Sequence, residues 1–161
     1  MLKKIIIILF SIFLLVGCKE QNKVESDKIE YLEIKSDLEE VDEFTEINDL
    51  PCDITISLNR EDEESIKYNV LINNPKIDMY NIKALVIHNQ FTEEVYPSIG
   101  LMNDETSSLL LNNMDDDNKI FIDGNLETTN DIKKLSLEFR VWLEYDTSDG
   151  EKKTIYYKTT I

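Results

Sequence analysis

Leu135-Ser136-Leu137-Glu138-Phe139-Arg140-Val141-Trp142-Leu143-Glu144-Tyr145 places an apolar residue at every second position for eleven residues. A helix would scatter Leu135, Leu137, Phe139, Val141, Leu143 and Tyr145 around its circumference; only a strand gathers them on one side. The next segment sets the pairing. A two-residue Asp149-Gly150 loop would turn Tyr156 and Lys158 toward the core. A three-residue loop, Ser148-Asp149-Gly150 with Gly150 left-handed, instead sets Thr147 opposite Glu151. Leu143 then faces Ile155, Val141 faces Tyr157 and Leu137 faces Ile161, which buries the apolar set of both strands. A one-residue slip would expose that set, so this register is the expected one.

Working back along the chain, the same period recurs. Ile54, Ile56 and Leu58 alternate with Thr55 and Ser57, and Ile66, Tyr68, Val70 and Ile72 alternate with Lys67, Asn69 and Leu71. The Glu61-Asp62-Glu63-Glu64 run joins these two strands, and Asn73-Asn74-Pro75 ends the second. A third strand opens at Asn81 and runs to His88; its stretch Ala84–Ile87 is apolar on both faces, as a central strand covered on each side would be. Shorter candidates are Thr92–Tyr96, Thr106–Leu111 and Lys119–Ile122, the last leading to a turn at Asp123-Gly124. Seven to eight short strands over residues 50–161, with turn signals between them, predict an all-β antiparallel sandwich. The strand, Asn-Asn-Pro, strand segment resembles immunoglobulin-like domains of bacterial surface proteins, over residues 52–161. That resemblance implies an immunoglobulin-like sandwich without the antibody disulfide, because Cys52 stands alone.

Residues 18–49 read differently. After Cys18 they hold 12 acidic and four basic residues and no glycine or proline, an acidic tether kept extended by like charge. Ile29–Ile34 has strand character, and Ser36-Asp37-Leu38-Glu39 has capping-box form, predicting a short helix with Leu38, Val41 and Phe44 on one side. Before the tether, Lys3 and Lys4 precede an apolar run from Ile5 to Val16 broken only by Ser11. Basic head, apolar core and small-residue cut site make a secretory signal over residues 1–17, too short for a comfortable membrane span. Leu15-Val16-Gly17-Cys18 resembles the lipobox of bacterial lipoproteins. The resemblance implies cleavage after Gly17, a diacylglyceryl group on the Cys18 thiol, and further acylation by palmitate or a similar chain. The protein would then sit on the extracytoplasmic face of the cell membrane, in the cell envelope.

Charge narrows the partners. The chain carries 17 basic and 33 acidic residues, a formal net charge of −16. Such a surface repels nucleic acid and anionic headgroups, so no nucleic-acid partner is expected and membrane attachment falls to the lipid anchor. Scarce glycine excludes a phosphate-cradling loop, and no cofactor is expected. His88, the single histidine, has no motif beside it, and Ser98 lacks the glycine-flanked elbow of hydrolases.

Two candidate sites follow. Asp115, Asp116 and Asp117, with Asn118 and with Asp104 and Asp123 nearby, offer oxygen ligands for calcium, although Lys119 breaks the EF-hand spacing; the competing reading is a solvated loop. On the outer face of the last hairpin, Trp142 falls opposite Tyr156, flanked by Arg140 and Lys158. Aromatics with cations on an acidic protein make a protein-binding hot spot, unless the tether or another strand covers them. The functional expectation is a non-enzymatic, lipid-anchored binding or accessory protein that contacts an envelope or surface protein. A small surface hydrolase and a calcium-binding structural protein are the alternatives.

Overall fold

The structure, a computed structural model, describes residues 24–90, 95–102, 105–113, 115 and 117–161. Among the described residues, eight strands form two antiparallel sheets. The first joins β1 (Asp53–Arg60), β2 (Ser65–Asn73) and β6 (Ile120–Glu127) in the order β1-β2-β6. The second joins β4 (Ser98–Ile99), β3 (Met79–His88), β7 (Glu138–Asp146) and β8 (Lys152–Thr160), with β5 (Ser107–Leu109) also paired to β3. The fold is therefore all-β and built as two stacked sheets.

The last hairpin has the predicted register. Leu143 pairs with Ile155, Val141 with Tyr157 and Trp142 with Tyr156. Thr147 N–H donates to Glu151 O at 2.9 Å, and Gly150 sits at φ 82°. Only a left-handed residue closes this loop without splaying the strands, and glycine takes that conformation at no steric cost. The main core lies between the sheets, where Tyr68, Val70 and Ile72 meet Ile82, Phe139, Val141 and Leu143. Cys52 is buried in the same core, and burial pushes its thiol pKa up to about 12, so it behaves there as a small hydrophobe.

Two expectations are corrected, and a strand at Thr92–Tyr96 falls mostly outside the described residues. Asp123-Gly124 is not a turn: β6 runs through it, with Gly124 paired to Tyr68 on β2. A Cβ at Gly124 would lie 2.3 Å from the Tyr68 ring and hydroxyl, so the missing side chain is what lets the tyrosine lie across the neighbouring strand. The next described strand after His88 follows Pro97, at Ser98–Ile99. Second, the acidic segment does not run free of the domain. Residues 24–40 form a helix, α1, that spans Ile29–Ile34 and carries Ser36–Glu39, where the capping-box reading would begin a helix, in its last turns.

The signal for α1 is a spacing hidden among the charges. Tyr31, Ile34, Leu38 and Val41 fall at i, i+3, i+7 and i+10, one stripe of a helix. That stripe packs on Leu85, Ile87, Leu101 and Trp142, a second apolar cluster on the outer face of the larger sheet. The apolar run of β3 is thus divided between two cores: Ala84 and Val86 face the sandwich interior, Leu85 and Ile87 face α1. Lys83 pairs with Glu30 in the first half of α1, and Arg140 donates to the carbonyls of Leu38 and Glu39 at its C-terminal end. In the sheet, Lys83 is opposite Glu144 and Ile87 opposite Arg140, so α1 advances along β3 from the level of Lys83 toward that of Ile87. Past the helix the chain turns back along β8, where Thr45 N–H donates to Tyr156 O at 2.7 Å.

Candidate functional site

The aromatic pair on the last hairpin is covered. Trp142 is 4% exposed beneath α1, and Tyr156 is half-buried at the margin of the same cluster. Arg140 and Lys158 stand over the Phe44 ring, at 5.4 Å and 4.5 Å from its centroid. Arg140 is further held by Glu138, whose carboxylate accepts from Nε at 2.9 Å. The four residues come together as predicted, but as the seat of α1 and the segment after it. In the structure this face is covered by α1 and not exposed. The physical reason is the Tyr31-Ile34-Leu38-Val41 stripe, which needs an apolar partner and finds it here.

His88 closes the far end of that seat. It is 6% exposed, ringed by Tyr96 at 5.0 Å, Tyr68 at 5.5 Å and Phe139 at 5.9 Å between centroids. Its Nδ1 is buried and has no hydrogen-bond partner among the described residues. Burial lowers its pKa, while a backbone hydrogen bond at Gln90 acts the other way. Tyr96 ties this corner to α1, since its N–H donates to the Tyr31 hydroxyl at 2.9 Å.

The aspartate loop lies at the opposite end of the sandwich, between β5 and β6. Asp115 and Asp117 are exposed, and Asp116 and Asp104 lie outside the described residues. Among the described residues no three histidine, cysteine or acidic side chains are placed to hold a metal ion. What the loop does form, with the β2–β3 connection, is a cleft of about 520 Å³. One wall is Asn73, Asn74 and Pro75; the other comes from Leu110, Asn112, Asn113, Asp115, Asn118 and Lys119.

The walls are fixed by part of this amide set. Asn118 accepts from Leu110 N–H at 2.8 Å and donates to the carbonyls of Leu110 and Asn113 at 2.8 and 2.9 Å, closing the loop on itself. Asn113 Oδ1 accepts from Asp115 N–H, and Asn74 donates to Asp53 at 2.9 Å. Asn74 and Asn112 both take left-handed backbone, at φ 48° and 65°, which asparagine tolerates better than most residues. Asn73 and Asn112 have no side-chain hydrogen-bond partner among the described residues, nor does the Asp115 carboxylate. Asp115 and Asn118 stand together in the sequence, but nothing local joins them to Asn73 and Asn74, which arrive from a loop 35 or more residues away.

Neither a protein-family model nor a curated protein matches the chain. Among solved structures, the crystal structure of Spo0M, a sporulation control protein from Bacillus subtilis, is similar at a TM-score of 0.29 and 10% identity, over 68% of this chain and 48% of that one. The chain therefore spans about half the length of that protein, and a likeness at this level carries no function across. No described helix is long and apolar enough to cross a membrane.

Proposed function

We propose that this is a lipid-anchored binding protein of the cell envelope, an immunoglobulin-like sandwich held by acylated Cys18 on the extracytoplasmic face of the membrane and acting by contact with an envelope protein. Its type is supported by strand order: β1-β2-β6 and β4-β3-β7-β8 follow the A-B-E and C′-C-F-G neighbour relations of such sandwiches. The observation that carries the function is how near α1 lies to Cys18. Helix α1 is in place by residue 24, six residues after Cys18, and six residues reach at most about 20 Å. A lipid on Cys18 would keep α1 within that reach of the bilayer surface and so present the sandwich to a partner in the same membrane.

The test is acylation itself. Radiolabelled palmitate should enter the wild-type chain in its host, and Cys18→Ala should abolish both the label and cleavage after Gly17. A variant that is still cut there and stays with the membrane sinks the anchored reading. Crosslinking of the anchored wild type should then recover a membrane or envelope protein.

A further inference from the structure

We propose that the amide-lined cleft between the β2–β3 and β5–β6 loops is a binding site for an uncharged, hydroxyl-rich ligand, a hexose or N-acetylhexosamine unit of a glycan. Its volume, about 520 Å³, lies in the range of ligand sites, roughly 300–1,000 Å³. The groups left without partners decide the chemistry. Each free carboxamide, Asn73 and Asn112, presents two donors and an acceptor, and Asp115 adds a carboxylate acceptor. Such a lining suits a ligand that donates and accepts at neighbouring atoms, as vicinal hydroxyls and acetamido groups do.

Among the described lining residues, charge favours a neutral ligand over an ion. Asp115 and Lys119 give the described lining one charge of each sign, and the chain as a whole is at −16, so an anion gains nothing from approaching. A divalent cation finds a single described carboxylate where hard cations take several oxygen ligands, carboxylates prominent among them. An exposed aromatic side chain next to one lining residue could serve the apolar face of a sugar ring. Phe121 is 58% exposed, and the ammonium of cleft-lining Lys119 lies 5.6 Å from its ring centroid. The Asn118 clamp forms the cleft before any ligand arrives, which lowers the ordering cost of binding.

The sugar has two possible sources, a soluble glycan strand or a glycolipid headgroup, and separate arms distinguish them. Full-length protein in detergent micelles is titrated calorimetrically with β-1,4-linked N-acetylglucosamine tetramer and with cellotetraose. In parallel it is floated with vesicles of phosphatidylcholine with or without diglucosyl-diacylglycerol. Binding is expected in at least one arm and should be insensitive to salt, since the ligand is neutral. Asn73→Ala and Asn112→Gly should each weaken it roughly tenfold, about 1.4 kcal/mol. Glycine at 112 keeps the left-handed backbone, so the fold survives the loss of the amide. Phe121→Ala should weaken it similarly, and Asn59→Ala, an exposed amide elsewhere on the first sheet, should leave it unchanged. Absence of binding in every arm, or binding indifferent to all three cleft variants, overturns the proposal.

Discussion

Arg140 Nη1 donates to the backbone carbonyl of Leu38, 102 positions earlier in the chain, at 3.2 Å, and to that of Glu39 at 2.8 Å. These carbonyls belong to the last turn of α1, whose acceptors have no partner within the helix, and a cation at that end also opposes the helix dipole. Arg140→Met keeps the apolar stem and removes the donors. It should cost about 1–3 kcal/mol, and hydrogen exchange should quicken in the amides of residues 31–41 before those of β7. Uniform exchange with unchanged stability would contradict a capping role.

Replacing both Trp142 and Tyr156 by serine should destabilise the fold by several kcal/mol. Burial of Trp142 makes this a core truncation, and such changes cost about 3–5 kcal/mol for a large aromatic. Chemical denaturation measures it directly. A loss within about 0.5 kcal/mol per site, as at exposed positions, would mean that α1 does not cover this face in solution.

His88 sets an acid limb on stability. Burial keeps its pKa below the ordinary 6.5 in the folded state, so the unfolded chain takes up the proton first. Stability is then complete above about pH 6.5 and falls as the pH drops toward the folded value. His88→Phe retains an aromatic among Tyr68, Tyr96 and Phe139 but cannot titrate. Its melting temperature should change less than that of the wild type between about pH 6.5 and pH 5. Parallel curves in that window would refute the assignment.

Gly124→Ala should be disproportionately costly for an added methyl group. The new Cβ would overlap the Tyr68 ring, forcing the tyrosine off its rotamer at about 1–3 kcal/mol. In the Tyr68→Leu background the same alanine should be nearly silent, so a double-mutant cycle should show strong coupling. Independent, additive effects would argue against the close approach.

Much of this fold was legible because one period governs it. Residues 135–161 gave strand, turn and register at once, since only one pairing buries Leu143, Ile155, Val141 and Tyr157 together. Helix α1 was hidden by the weight of charge around it: 12 acidic residues in 19–49 suggested an extended tether. Its stripe of Tyr31, Ile34, Leu38 and Val41 gains meaning only beside Leu85 and Trp142, which tertiary packing supplies. Gly124 looked like a turn because a glycine that accommodates a cross-strand ring has the same letters as one that bends the chain. The amide cleft was invisible for a related reason. Asn73 and Asn112 share no local pattern, and two loops had to meet before they became neighbours.

The pairing of α1 with β7 and β8 also imposes an order of events on the growing chain. The helix is synthesised about a hundred residues ahead of β7 and β8, which complete its seat beside β3, and an isolated amphipathic segment of this length is marginal in water. Tyr31, Ile34 and Leu38 must therefore wait for Arg140, Trp142 and Tyr156, and the slow, long-range closure comes last. A polypeptide stopped before β8 would leave the helix without Tyr156 and the receiving sheet one strand short. A chain that lacks the final hairpin therefore leaves part of the apolar stripe of α1 uncovered.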